Sequence, residues 1–104
     1  MTDPTGFLPL LNAAREAEGL PPLTFDDDLS AYAARNNAQQ HRFNRIGHFT
    51  KPPRASQCAG MAESAADLLH ALLNDPPHRV ILMRDTATRC GVGRASEYWT
   101  VNVV

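Results

Sequence analysis

The stretch Asn74-Asp75-Pro76-Pro77-His78-Arg79 separates two kinds of hydrophobic spacing, and that division constrains the fold more than any other feature. Before it, apolar residues recur at helical intervals. After it comes a glycine-broken segment, Cys90-Gly91-Val92-Gly93, and then Trp99, Val101 and Val103 alternating with Tyr98, Thr100 and Asn102. Period two over this length marks a strand buried mainly on one face. Residues Arg94 to Glu97 have the length of a turn joining it to the glycine-broken segment as an antiparallel hairpin. Helices first and strands last indicate α+β, with helices packed on a small antiparallel sheet.

The helical part divides at its prolines and glycines. Phe7, Leu10, Leu11, Ala14 and Ala17 form one apolar stripe, predicting a helix from Phe7 to Glu18 that Gly19 and Pro21-Pro22 stop. Leu23-Thr24-Phe25 reads as extended, with a helix cap at one of Asp26, Asp27 or Asp28. A second helix is expected from about Asp28 to Phe43. Its stripe opens with Leu29, Tyr32 and Ala33 but continues through Asn36 and Gln40, either as a solvated end or as the lining of a wet cleft. Asn44 to Ala62 reads as irregular, with a possible short strand at His48-Phe49-Thr50. Ser64 and Asp67 resemble a capping box before the buried stripe Ala65, Leu68, Leu69, Leu72 and Leu73, which leaves His70 on the surface. Val80 to Met83 reads as a short buried helical segment entered through Pro76-Pro77.

At 104 residues the chain, 1–104, makes a single domain, and 43% hydrophobic residues supply one core. The net charge of −1 argues against a nucleic-acid partner or an acidic membrane surface, and the scatter of Lys and Arg does not suggest one basic face. No segment approaches the roughly 20 apolar residues of a membrane span. The opening Met1-Thr2-Asp3-Pro4 lacks the basic start and apolar run of a secretory signal. That points to a cytoplasmic or phage-encoded chain, or to a mature form whose leader has been removed. Cys58 and Cys90 lack CxxC spacing and read as two buried free thiols, with one disulfide as the alternative.

The histidines carry what chemistry the spacing shows. His41 and His70 fall on expected helices, His48 and His78 at turns. No H-x-x-x-H or H-E-x-x-H spacing, serine-nucleophile elbow or phosphate loop occurs. Gly91-Val92-Gly93 is better explained by close backbone packing than by a nucleotide.

The order of motifs adds to this reading. Leu11-Asn12-Ala13-Ala14-Arg15, Gly19-Leu20-Pro21-Pro22-Leu23, His48, Ser64 to Leu73, Asn74-Asp75-Pro76-Pro77-His78-Arg79, Gly91-Val92-Gly93 and Tyr98-Trp99-Thr100 together resemble bacterial domains of the CAP superfamily, shortened. That superfamily includes the cysteine-rich secretory, antigen 5 and pathogenesis-related 1 proteins. The resemblance implies an α-β-α sandwich with a central cleft, often holding two histidines and two acids and, in several members, a divalent metal. By position His48 and His78 match the histidines and Asp75 one acid. The other acid's place holds Ser56, beside Gln57, and Glu63 is the nearest carboxylate downstream. Two imidazoles and one carboxylate could hold zinc with water, so His48 and His78 are the candidate metal ligands. Loss of one acid removes an orienting carboxylate and the obvious general base. The implied function is therefore a non-catalytic binding domain for a small ligand (lipid, cell-wall fragment or peptide) or a protein partner. The alternatives are a reduced interaction module without a working cleft and a metal-dependent hydrolase.

Overall fold

The computed structural model describes residues 3–104; Met1 and Thr2, on which the leader reading partly rests, lie outside them. The elements are α1 (Phe7–Ala17), β1 (Thr24–Phe25), α2 (Asp27–Phe43), β2 (Ser56–Met61), α3 (Ala65–Leu73), α4 (Pro76–Leu82), β3 (Arg89–Ala95) and β4 (Tyr98–Val103). Local chemistry sets their limits. Asp26 caps α2 by accepting from the Leu29 N–H at 2.8 Å, which decides among the three aspartates. Asn44, left-handed at φ 54°, closes the same helix. Ser64 caps α3 through the Asp67 N–H at 3.1 Å. Pro76 and Pro77 open α4, where the missing N–H groups cost no helical hydrogen bond.

The sheet order is β1-β3-β4-β2. β4 pairs antiparallel with both neighbours, but β1 pairs parallel with β3 through Thr24↔Arg89 and Phe25↔Cys90, so the sheet is mixed rather than antiparallel throughout. The β3–β4 turn is tighter than expected: Ser96-Glu97 alone separates the strands, with Ser96 at φ 55°. β2 lies inside the stretch expected to be irregular. Its sequence, Ser-Gln-Cys-Ala-Gly-Met, has no β-branched or aromatic residue, and full pairing with β4 from Ser56↔Val103 to Met61↔Tyr98 makes it a strand. The short strand expected at His48-Phe49-Thr50 does not form, because the Phe49 and Thr50 N–H groups donate to the Asn36 side chain instead.

Helices cover both faces of the sheet, giving an α-β-α sandwich. α2 lies against β3 and β4, and α1, α3 and α4 pack on the opposite face. Every residue of β4 is therefore buried, where its alternation suggested one buried face only. Trp99, Val101, Val103, Cys58, Cys90 and Val92 meet Phe7, Leu11, Leu68, Leu72 and Leu82 in the apolar core. Burial of each such large side chain contributes roughly 1.5–3 kcal/mol. Val80, expected to be buried, is 70% exposed; α4 is short and turns Leu82 inward instead.

Fully buried Arg15 ties α1 to the end of α4. Its guanidinium donates to the carbonyls of Pro21 at 2.9 Å, Leu82 at 2.9 Å and Arg84 at 3.0 Å. Desolvation lowers its pKa, against the nearby Cys90 and Asp85. Gly91 and Gly93 let α2 lie close on β3: a Cβ on Gly91 would stand 2.2 Å from the Ser30 backbone nitrogen, and one on Gly93 2.9 Å from the Ala33 carbonyl carbon. Close backbone packing is thus the role of that motif.

Candidate functional site at the β2 edge

The polar residues that interrupt the α2 stripe neither face solvent nor line a wet cleft. Asn36, Asn37 and Gln40 are buried against Thr100 of β4. Asn36 accepts from the Phe49 and Thr50 N–H groups at 2.7 and 2.9 Å and donates to the Gly47 carbonyl at 3.0 Å and to Thr100 Oγ1 at 3.0 Å. Gln40 accepts from the Gly47 N–H at 3.1 Å and donates to Asn37 Oδ1 at 2.9 Å. A buried amide satisfied this fully is rigid, so helix α2 holds the backbone of the loop that carries His48.

The His48 ring is fixed from the other side. The Asn102 Nδ2 group donates to the Leu29 carbonyl at 2.9 Å, which turns Asn102 Oδ1 toward β2. Gln57 Nε2 donates to that oxygen and to the Thr50 carbonyl, both at 2.9 Å. Gln57 Oε1 must then face His48, whose Nδ1 lies 2.7 Å away. An amide oxygen only accepts, so Nδ1 carries the proton and a neutral His48 keeps its lone pair on Nε2. A backbone carbonyl of α2 thereby sets the tautomer of an exposed histidine through two amides.

Asp75 and His78 form the second part. Asp75 is the N-cap of α4 and His78 lies in its first turn, with the Asp75 carboxylate on His78 Nδ1 and both side chains partly exposed. This leaves Nε2 of His78 unbonded among the described residues, as it is in His48. Ser56 joins neither histidine: its hydroxyl accepts from Arg84 at 3.0 Å. Gln57 points toward α2, while its neighbour Cys58 lies in the core beneath α3 and α4. His48 and the Asp75–His78 pair thus flank edge strand β2 from opposite faces of the sheet. A surface depression lined by Pro9, Asn12, Ala13, Glu16, Leu20 and Pro22 contains none of these residues.

Zinc requires three or four ligands. Among the described residues no group of three or more His, Cys, Asp or Glu side chains could hold a metal ion, and the Asp75 carboxylate is engaged by His78. The donor set does not fit a zinc centre. Both cysteines are free and buried. β4 runs between their strands, which puts them on the order of 10 Å apart, beyond the reach of a disulfide. Burial pushes the Cys58 thiol up to about 12, and the Asp75 charge adds to the effect. Burial also raises Cys90, helped by Asp3 and Cys58 and opposed by Arg15. Neither thiol is a nucleophile at neutral pH.

The model of the cysteine-rich secretory protein family, CAP, matches residues 8–103. The chain belongs to the CAP family. Solved structures share its fold. An extracellular protein of Bacillus anthracis containing an SCP domain has a TM-score of 0.85 at 20% identity, over 94% of this chain and 38% of that one. A cysteine-rich secretory protein of Staphylococcus aureus gives 0.74 at 19%, over 93% and 36%. An outer surface protein of Borrelia burgdorferi gives 0.77 at 18%, over 92% and 85%. This CAP chain spans little more than a third of the first two. No curated protein sequence matches it. No helix among the described residues is long and apolar enough to cross a membrane.

Of the two amides that position His48, Asn36 was singled out from the sequence as a polar residue on the α2 stripe, whereas Asn102 was not. The signal at Asn36 was an amide on an apolar helical stripe; Asn102 alternated onto the strand face not expected to be buried. Either pattern becomes informative only once the partner strand is known.

Proposed function

We propose that this CAP domain is a non-catalytic binding module that presents His48 and His78 as fixed hydrogen-bonding groups on either side of the β2 edge. One observation carries the reading. Each imidazole has Nδ1 committed inside the protein, to Gln57 or to Asp75, and Nε2 without a hydrogen-bond partner among the described residues. Orientation of that kind suits recognition of a donor on a small polar ligand or peptide. The carboxylate at the site is taken up by His78, so the general base of a hydrolase has no support, and no step is assigned to a metal.

The test follows the ring resonances of both histidines while the full chain is titrated with muropeptide fragments, short peptides and fatty-acid dispersions. Saturable shifts at both rings with one of these are expected, and binding of that probe measured by calorimetry should be abolished in the double variant His48→Ala/His78→Ala. Binding that survives the double variant, or no ring response to any probe, contradicts the reading. A matched zinc titration that saturates both rings would bring back the metal site, and turnover abolished by chelation would bring back the hydrolase. Exposed Phe43, Ile46, Met61 and Val80 favour a second reading, an interaction module that works through its surface rather than a cleft.

A further inference from the structure

The net charge of this chain conceals a strong segregation. From Leu29 to Ala62 the cationic side chains are Arg35, Arg42, Arg45, Lys51 and Arg54, and that stretch has no Asp or Glu; all 11 acids lie outside it. None of these five cations forms an ion pair among the described residues. The ion pairs present join Asp75 with His78, Glu18 with Arg79 and Asp26 with Arg89, all in other parts of the chain.

The unpaired charge coincides with exposed apolar surface at the end of α2. Phe43 and Ile46 are 50% and 49% exposed. The Phe43 and Phe49 rings lie 5.1 Å apart, with the Arg42 guanidinium 5.7 Å from the Phe43 ring centre and that of Arg45 5.2 Å from the Phe49 ring centre. Arg35 and Arg42, seven residues apart, share one side of α2. A cation in the last turn of a helix is explained by the helix dipole. That accounts for Arg42, but not for Arg45, Lys51 and Arg54 beyond the helix, nor for two large apolar side chains left in water.

We infer that the tip formed by the end of α2 and the following loop docks on an anionic lipid surface, with Phe43 and Ile46 entering the headgroup boundary and Arg42 and Arg45 meeting lipid phosphates. Apolar side chains ringed by arginine match that interface. A single-stranded nucleic acid would need ring faces free for base stacking, and here guanidinium groups already lie over Phe43 and Phe49. The inference goes beyond the histidine site and stands without it.

The test is flotation of the full chain with vesicles of phosphatidylcholine alone and of phosphatidylcholine mixed with phosphatidylglycerol, at low and high salt. Binding only to the anionic vesicles, weakened by salt, is expected. Arg42→Gln and Arg45→Gln should each weaken it about fivefold, and Phe43→Ser/Ile46→Ser should abolish it. Arg89→Gln, a charge-matched change outside the tip, should leave it unaltered. All five substituted side chains are exposed, and fluorescence of the buried Trp99 confirms that each variant is folded. No binding to anionic vesicles, or equal binding by the arginine variants, overturns the inference. Preference for a single-stranded oligonucleotide or an acidic peptide over the vesicles, with the same arginine dependence, overturns it in favour of that partner.

Discussion

On one face of the sheet Trp99, Val101 and Val103 meet leucines from α3 and α4; on the other, Thr100, Asn102 and Gln57 meet amides and backbone from α2. The same strands supply both, residue by residue. The apolar face depends on volume and tolerates exchange of one hydrophobe for another of similar size. The polar face depends on direction, because each amide has one orientation that satisfies its neighbours. Stability can come from either. Only the second can dictate which nitrogen of an exposed histidine bears a proton.

The largest effect expected from this contrast is at glycine. Gly91→Ala drives a methyl group into the α2 backbone and should cost more than about 3 kcal/mol in urea unfolding. Gly60→Ala, whose new Cβ would meet Leu68 Cδ1 at an ordinary 3.4 Å, should stay within about 1 kcal/mol. Equal costs would remove the distinction between a close backbone approach and ordinary packing.

Truncation on either face comes next. Leu68→Ala should cost about 2–5 kcal/mol as a cavity in the apolar core. Asn36→Ala should cost about 2–3 kcal/mol and, unlike Leu68→Ala, should speed amide exchange at Phe49 and Thr50, whose N–H groups it accepts. Similar exchange in both variants would show that the loop is not held by α2.

Why one face was legible in the sequence and the other only in part follows from the same contrast. Helical stripes and the β4 alternation depend on hydrophobicity, which each residue carries with it, so α1, α2, α3 and the β3–β4 hairpin were legible, as was the CAP resemblance carried by motif order. β2 was not, because its strand state comes from pairing with β4 rather than from Ser-Gln-Cys-Ala-Gly-Met itself. Gln57, His48, Asp75 and His78 could be named from motif order. Asn102 and Asn36 could not, since an amide's role depends on what stands opposite it. Net charge hid the acid-free stretch from Leu29 to Ala62 for a related reason: a sum carries no position.

Titration effects are smaller and opposite in sign at the two ends of the pH scale. Both thiols are raised on folding. Their contribution is complete below the unfolded thiol value, about 8.5, and is lost as pH rises toward the folded values. The urea midpoint should therefore fall above that pH, and Cys58→Ala/Cys90→Ala should flatten the fall. A fall of the same steepness in that variant would assign it to other groups. Asp26 is lowered, chiefly by the Leu29 N–H, with Arg89 adding to this and desolvation opposing it. Its contribution is present above the unfolded value of about 3.9 and is lost as pH falls through the folded one. Asp26→Ala should cost about 1 kcal/mol at neutral pH and less in acid; an unchanging cost would mean that the cap does not act through its charge.

The central claim is that the polar face of the sheet holds His48 in one tautomer. Long-range proton–nitrogen NMR of the imidazole rings at neutral pH tests it directly. In the unaltered chain His48 should show a protonated Nδ1 and a bare Nε2. In Gln57→Leu, with Trp99 fluorescence unchanged, the Nε2-protonated form favoured in water should appear. A His48 already protonated on Nε2, or one indifferent to the loss of Gln57, would contradict the claim.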